Sequence, residues 1–286
     1  MKSNAGFTLI EMLIALVVTM ILMGGAYSVF MSQQKNTVVQ TDVSDIQQTL
    51  RSTMDFLVRD IRMAGYPGPG WESVGNFGIT EVGLSDYSGN PNSGARDQGF
   101  IRFSWDMNDN NTLNAGETVS YSLSDNEPNV APGSVALMRQ LDSWANRQPI
   151  AGYVTNIGFA FAIDIEGDLK NQLERTGNNN VIWALDTDND GFWNNLDTND
   201  DGRIDAADLG GAAPGTIVGT ATGIPVRPGD IRAVRIWLLG RSLAPDNTYL
   251  DGNVYVVGAS VLQPNDNFRR RLLERTVLCR NMGLEK

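Results

Sequence analysis

The sequence predicts an α+β protein in which one long N-terminal helix, membrane-spanning at first and amphipathic further on, packs on an antiparallel β-sheet domain. Three observations predict it. Residues 6–30, GFTLIEMLIALVVTMILMGGAYSVF, form an apolar run with a single acid, Glu11. Beyond it Val39, Val43, Ile46, Leu50, Met54, Leu57 and Ile61 recur at steps of four and three, with Gln47, Gln48, Arg51 and Arg59 between them, the period of a helix with one apolar face. After residue 69 the chain changes to short runs that alternate apolar with polar or small residues, the period of half-buried strands.

The helix is expected over residues 7–63. As a helix, residues 7–30 measure ~36 Å, enough to span a bilayer with some tilt. Lys2 on the short side places the N-terminus in the cytoplasm and the rest of the chain outside. Residues 1–6 contain no apolar core of their own, so they do not read as an ordinary secretory signal. A carboxylate in hydrocarbon costs about 2.5–3.5 kcal/mol, so Glu11 calls for a partner. A cut after Gly6 would expose the ammonium of Phe7, which could pair with Glu11 of a neighbouring subunit and set two helices in register. A plain signal anchor has no need of that acid. Gly24 and Gly25 each cost about 1 kcal/mol relative to alanine and mark a hinge or a point of close helix packing. Gly65, Pro67, Gly68, Pro69 and Gly70 end the helix. Strands are then expected through Ile101, Phe103 and Trp105; through Val119, Tyr121 and Leu123; through Ile157, Phe159, Phe161, Ile163 and Ile165; and through Val234, Ile236 and Leu238. The length suits a substantial core and does not require a second domain.

The heptapeptide G-F-T-L-I-E-M at residues 6–12 resembles the class III signal of type IV prepilins and type II secretion pseudopilins. The resemblance implies that a prepilin peptidase cuts after Gly6, that Phe7 is N-methylated, that Glu11 aligns subunits during assembly, and that the apolar helix enters a filament core. S-Q-Q at 32–34, R-D-I-R-M-A-G-Y at 59–66, I-R-A-V-R-I-W-L-L at 231–239 and R-R-R-L-L-E-R-T-V-L-C-R-N at 269–281 resemble the PilW-type minor pilins, which are similar in turn to the J-type minor pseudopilin. The implied organisation is a leader at 1–6, a transmembrane and filament-core helix at 7–30, an amphipathic extension at 31–65 and a periplasmic or extracellular type IV pilin-like head at 66–286. The implied function is that of a minor pilin that primes assembly of a pilus and sits at its tip. A J-type pseudopilin of type II secretion and a calcium-dependent tip adhesin are the alternatives. Implied partners are prepilin peptidase, other minor pilins or pseudopilins, the major pilin and inner-membrane lipid. The implied location is the inner membrane, single-pass, then an extracellular pilus or a periplasmic pseudopilus.

A second signal is acidic. Asp106, Asn108, Asn110, Thr112, Asn114 and Glu117 occupy the ligand positions 1, 3, 5, 7, 9 and 12 of a calcium loop, with Asn111 at the sixth place and Leu113 at the eighth, where such loops usually bury an apolar side chain. Strands should flank it, so a calcium-closed hairpin is expected, with an Asn-rich turn as the plain alternative. Asp197, Asn199, Asp201, the Arg203 carbonyl, Asp205 and Asp208 repeat the register with Gly202 sixth and Ile204 eighth. Eleven residues earlier it recurs as Asp186, Asp188, Asp190, the Phe192 carbonyl and Asn194, with Gly191 sixth and Asp197 again twelfth, which would let Asp197 bridge two ions. These repeats, spanning 186–208, resemble the calcium loops of dockerin and thrombospondin type 3 modules. Eight aspartates stand against one arginine between 186 and 208, a cluster that repels itself unless a cation or solvent disperses the charge. The donors are all oxygen and the chain has no histidine, which favours one to three calcium ions over zinc; magnesium's stricter octahedron is a poorer match.

The remaining composition excludes. With no histidine and the single Cys279, the chain has no imidazole triad, Cys/His pair, zinc site or internal disulfide. Many major pilins close a C-terminal loop with a disulfide, so calcium would be its substitute here. Cys279 reads as a buried strand residue. No phosphate loop, dinucleotide glycine motif or nucleophile elbow occurs, so no catalytic residue and no enzyme is expected. The net charge of −11 argues against nucleic acid as a partner of the acidic head, and Arg269–Arg271 read as a solvated or salt-bridged strand end. Phe192 and Trp193 are the aromatic contacts an adhesin would expose, unless one of them belongs to the core.

Overall fold

The computed structural model describes residues 8–68, 77–85, 98–124, 135–143, 146–165, 173–210 and 214–283. Helix α1 runs unbroken over Leu9–Met63. It ends where the glycines and prolines predict: Tyr66 N–H donates to Met63 O, and Gly65 adopts φ +80°. Phe7, the expected first residue of the helix, lies outside the described residues. The chain divides after Asp45 into an N-terminal helical unit and a head that begins at Ile46. In the N-terminal unit the apolar side chains from Leu9 to Phe30 are exposed and the helix is long and apolar enough to cross a membrane. It passes through Gly24 and Gly25 without a break, and a methyl group added at either would meet nothing within 4 Å.

In the head, α1 buries Ile46, Leu50, Met54, Leu57 and Ile61, the part of the sequence-read stripe that follows Asp45. Among the described residues fourteen strands follow: β1 (Gly78–Ser85), β2 (Gln98–Ser104), β3 (Thr118–Ser124), β4 (Ala136–Leu141), β5 (Arg147–Gly152), β6 (Val154–Ile163), β7 (Ala184–Leu185), β8 (Phe192–Asn195), β9 (Gly215–Thr216), β10 (Thr220–Pro225), β11 (Ile231–Arg241), β12 (Tyr255–Val257), β13 (Ser260–Leu262) and β14 (Arg270–Leu278). β1 to β5 form an antiparallel meander. A second sheet has the order β10-β8-β7-β6-β11-β14, and a small one the order β12-β13-β9. The long helix on antiparallel sheets is the predicted fold class.

The strands are more enclosed than their alternation predicts. Ser120, Ser122 and Ser124 of β3 are buried beside the expected Val119, Tyr121 and Leu123, and all of β6 except Thr155 is buried. Hydroxyls make this tolerable because they find partners: Ser120 Oγ donates to Gln140 Oε1 at 3.2 Å, and Gln140 Nε2 donates to Ser122 Oγ at 3.5 Å. On β6 the second face is covered through glycine. A Cβ on Gly158 would fall 2.4 Å from the Gly258 nitrogen, so the β12–β13 turn seats directly on the β6 backbone. β6 ends at Ile163, and Ile165, expected in the strand, is 38% exposed.

One polar cluster joins α1 to the first sheet. Asp60, 4% exposed, accepts from the Tyr121 hydroxyl of β3 at 2.6 Å and from Arg139 Nε of β4 at 3.0 Å. Arg139 and Arg59 both lie over the Phe56 ring. Burial beside Asp60 pushes the Tyr121 hydroxyl well above the ordinary tyrosine range, so it stays a donor.

Candidate functional site

Gly6 and Phe7 lie outside the described residues. Glu11 does not, and it has a local task that the sequence reading overlooked. Its Oε2 accepts from Thr8 N and Thr8 Oγ1, both at 2.9 Å, while Thr8 Oγ1 accepts from Glu11 N at 3.3 Å. Thr8 and Glu11 form a capping box at the start of α1, satisfying two donors that a helix end leaves open. The signal was T-x-x-E, three residues apart and readable from the sequence.

The three acidic loops share one backbone. Fourth and sixth residues are left-handed in each: Asp109 and Asn111 at φ 58° and 60°, Asn189 and Gly191 at 61° and 85°, Asp200 and Gly202 at 56° and 86°. Only glycine adopts this conformation freely, and Asn and Asp tolerate it better than other residues. Loop 106–117 connects β2 to β3 and is the hairpin the sequence predicts. Asp106 accepts from the amides of Asn110 and Asn111 at 3.2 and 2.6 Å, and Glu117 from those of Met107 and Asn114 at 3.0 and 2.7 Å. Loop 197–208 repeats these four bonds. Asp197 accepts from Asp201 and Gly202 at 3.1 and 2.8 Å, and Asp208 from Thr198 and Asp205 at 2.6 and 2.8 Å. Asn108 and Asn110 of the first loop and Asn199 and Asp201 of the second accept from the amide two residues on. Thr112 O accepts from the Asn114 side-chain Nδ2 at 2.7 Å. Arg203 is exposed, and Asp205 with Asp208 caps a short 3-10 helix, Ala206–Leu209.

Loop 186–197 starts at the end of β7, runs through β8 and closes differently. Asp186 accepts from Gly191 N at 3.2 Å and Asp190 from Phe192 N at 2.8 Å, but the Thr187 amide goes to Asn194 Oδ1 at 3.0 Å. The twelfth residue, Asp197, spends both carboxylate oxygens on the following loop. The carboxylates of Asp186, Asp188 and Asp190 nevertheless bring oxygens within 4.8 Å of one another. Burial raises the carboxyl pKa of both Asp186 and Asp197, against the amide bonds that lower it. Asp106, Glu117, Asp197 and Asp208 are each at most 6% exposed, and among the described residues no lysine or arginine forms a salt bridge with them. The convergent oxygens of Asp186, Asp188 and Asp190, half-buried to exposed, are all-oxygen donors of the kind a hard cation takes.

Residues that the sequence does not connect with these loops support them. Asp106 N donates to Tyr66 O at 2.9 Å, Tyr66 Oη donates to Asp109 Oδ1 at 3.5 Å, and a Cβ on Gly68 would fall 2.5 Å from Asp106 Oδ2. The A-G-Y-P-G segment after α1 therefore rests on loop 106–117. Asp200 accepts from Thr176 Oγ1 at 2.6 Å and Asn180 Nδ2 at 2.9 Å. Of two further expectations, the first resolves to its stated alternative and the second is corrected. Trp193 is the one of the two aromatics that belongs to the core, fully buried against Phe161, and Phe192 is exposed, at 42%. Leu113 is 45% exposed instead of buried, whereas its counterpart Ile204 packs against the core. Cys279 is buried as expected, and burial pushes its thiol up to about 12.

A search of curated proteins finds no match. Among solved structures the chain is similar to a type IV-like pilin from Thermus thermophilus, at 12% identity and a TM-score of 0.40, over 83% of this chain and 98% of that one. Residues 1–27 match the prokaryotic N-terminal methylation motif. Residues 40–182, half of the chain, match the model of prepilin peptidase-dependent protein B. With the methylation motif at its N-terminus and the family match running from the helix through the first sheet, this chain belongs to the prepilin peptidase-dependent protein B family of type IV pilin-like proteins.

Proposed function

We propose that the chain is a PilW-like minor pilin, cut after Gly6, methylated at Phe7 and held at the tip of a pilus whose assembly it primes with other minor pilins. The observation that carries this reading is the methylation motif heading a helix that is exposed and apolar from Leu9 to Phe30 and becomes the spine of a β head from Ile46. An apolar surface of that length, alone in water, has a use only in lipid or against like helices. The three loops hold calcium in this reading and brace the head, with Asp106 and Glu117, Asp186, Asp188 and Asp190, and Asp197, Asp201, Asp205 and Asp208 as the charged ligands.

Glu11 has two candidate tasks, and substitution separates them. Glu11→Gln keeps an acceptor for the capping box but removes the charge that would meet the Phe7 ammonium of a neighbour. Thr8→Ala removes the cap and keeps the charge. We expect Glu11→Gln to be cut normally yet recovered several-fold less in sheared filaments, and Thr8→Ala to be recovered close to the unmodified level. Recovery lost in Thr8→Ala and kept in Glu11→Gln would make Glu11 a helix cap and remove the intersubunit pairing.

A further inference from the structure

Sheets end on edge strands, and an exposed edge offers unpaired N–H and C=O groups to any extended chain. Most edges of this head are interrupted. β1 has a bulge between Ile79 and Glu81. β5 contains Pro149 and its pairing slips at Leu137/Met138. β10 has Gly223 at φ +72° and ends at Pro225 beyond a register shift. β9 and β12 are two and three residues long. β14 has none of these devices. It pairs with β11 in unbroken register over nine residues, has no glycine or proline, and among the described residues no strand lies on its other side. Leu272, Thr276 and Leu278 are exposed along it.

Its rim is basic in a chain of net charge −11. Arg275 pairs with Asp55 of α1. Leu50 packs on Gly240, the register partner of Arg271, which brings the adjacent Arg51 to that level of the edge. Further along, Asn281 donates to the Arg62 carbonyl at 3.0 Å. Arg51, Arg62, Arg271 and Arg275 are all exposed, against Asp55 and a Glu274 engaged by Arg235 at 3.5 Å.

We propose that β14 is a docking edge for an extended, acidic segment of another pilin-like subunit, which extends the six-stranded sheet by one strand while its carboxylates meet Arg51, Arg271 and Arg275. This rests on the filament-subunit reading. Main-chain bonds give such an addition its affinity, and the charges select the partner. The same arginines discourage a second β14, which would bring like charge to the edge.

The test places a photo-crosslinking phenylalanine analogue at position 276 of the full chain, in membranes that contain its complete set of pilin subunits. The expected adduct maps to an Asp/Glu-rich segment of a different subunit, falls about tenfold in Arg51→Glu/Arg271→Glu and survives in Arg51→Lys/Arg271→Lys. Equal melting temperatures of the two double variants exclude unfolding as the cause. An adduct to a second copy, to a segment without acids, or one indifferent to charge reversal overturns the proposal, as does no adduct. Recovery in sheared filaments is read on the same cells. A chain recovered there without an adduct overturns the edge alone; an adduct from a chain never recovered there keeps the edge and overturns the filament reading.

Discussion

Asp266 and Asp197 show how one residue type is put to opposite uses in this head. Asp266 faces Arg270, whose guanidinium donates to both its oxygens at 2.6 and 2.8 Å, and that pairing holds its carboxyl below the usual range. Because the folded value is depressed, the contribution is present above the unfolded pKa of about 4 and is lost as pH falls through the folded value. Asp266→Asn should therefore lower the melting temperature at neutral pH and flatten its fall between about pH 5 and pH 2. An acid limb as steep as that of the unmodified head would show that Arg270 draws nothing from Asp266. Asp246 behaves alike through Thr248 and Arg269. Asp197 moves the other way, raised by burial with only amides to offset it. The loop spacing made Asp197 legible from sequence, since ligand positions lie within twelve residues. Tyr66 and Gly68, which meet the first loop from some forty residues away, left no local signal. Which of Phe192 and Trp193 belongs to the core stayed open in the sequence because a strand of four residues is too short for its period to show.

At the scale of elements, α1 was the most legible part, because its period and its Gly/Pro stop are properties of consecutive residues. What the period does not encode is how the helix is fixed on the sheet. The stripe Ile46 to Ile61 would allow α1 to slide by a turn at modest cost, as one apolar face slides on another. Asp60 forbids it, since a shift would strand a buried carboxylate away from Tyr121 and Arg139. Removing one partner of a buried pair costs more than the pair is worth. Asp60→Ala, leaving Arg139 and the Tyr121 hydroxyl unpaired, should destabilise the head by about 3–5 kcal/mol, and Tyr121→Phe by about 1–3 kcal/mol. A double-mutant cycle read by urea unfolding should give strongly non-additive losses. Additive losses would show that the two groups do not act on each other.

For the whole molecule the governing quantity is charge. A head built from a chain of net charge −11 folds against its own repulsion, and the four deeply buried loop carboxylates add to that cost. In the absence of a cation the loop amides carry this burden alone, at both ends of the 106–117 hairpin and along 186–208. A cation that binds only the folded head stabilises it by mass action, about 2.7 kcal/mol at a hundred times the dissociation constant. Calcium added to a soluble fragment starting after Gln34 should therefore raise its melting temperature saturably, and chelation should reverse the rise. Sodium at equal ionic strength screens surface charge without filling the loops and should do much less. Substitution then assigns the ion. Asp197→Asn removes a ligand charge shared by the register of two loops and should abolish most of the calcium-dependent shift, whereas Asp106→Asn should remove the part that belongs to the hairpin under Tyr66. A shift equal in calcium and sodium, or one untouched by either substitution, would leave the loops as amide-capped turns. The head would then resist its own charge through packing alone.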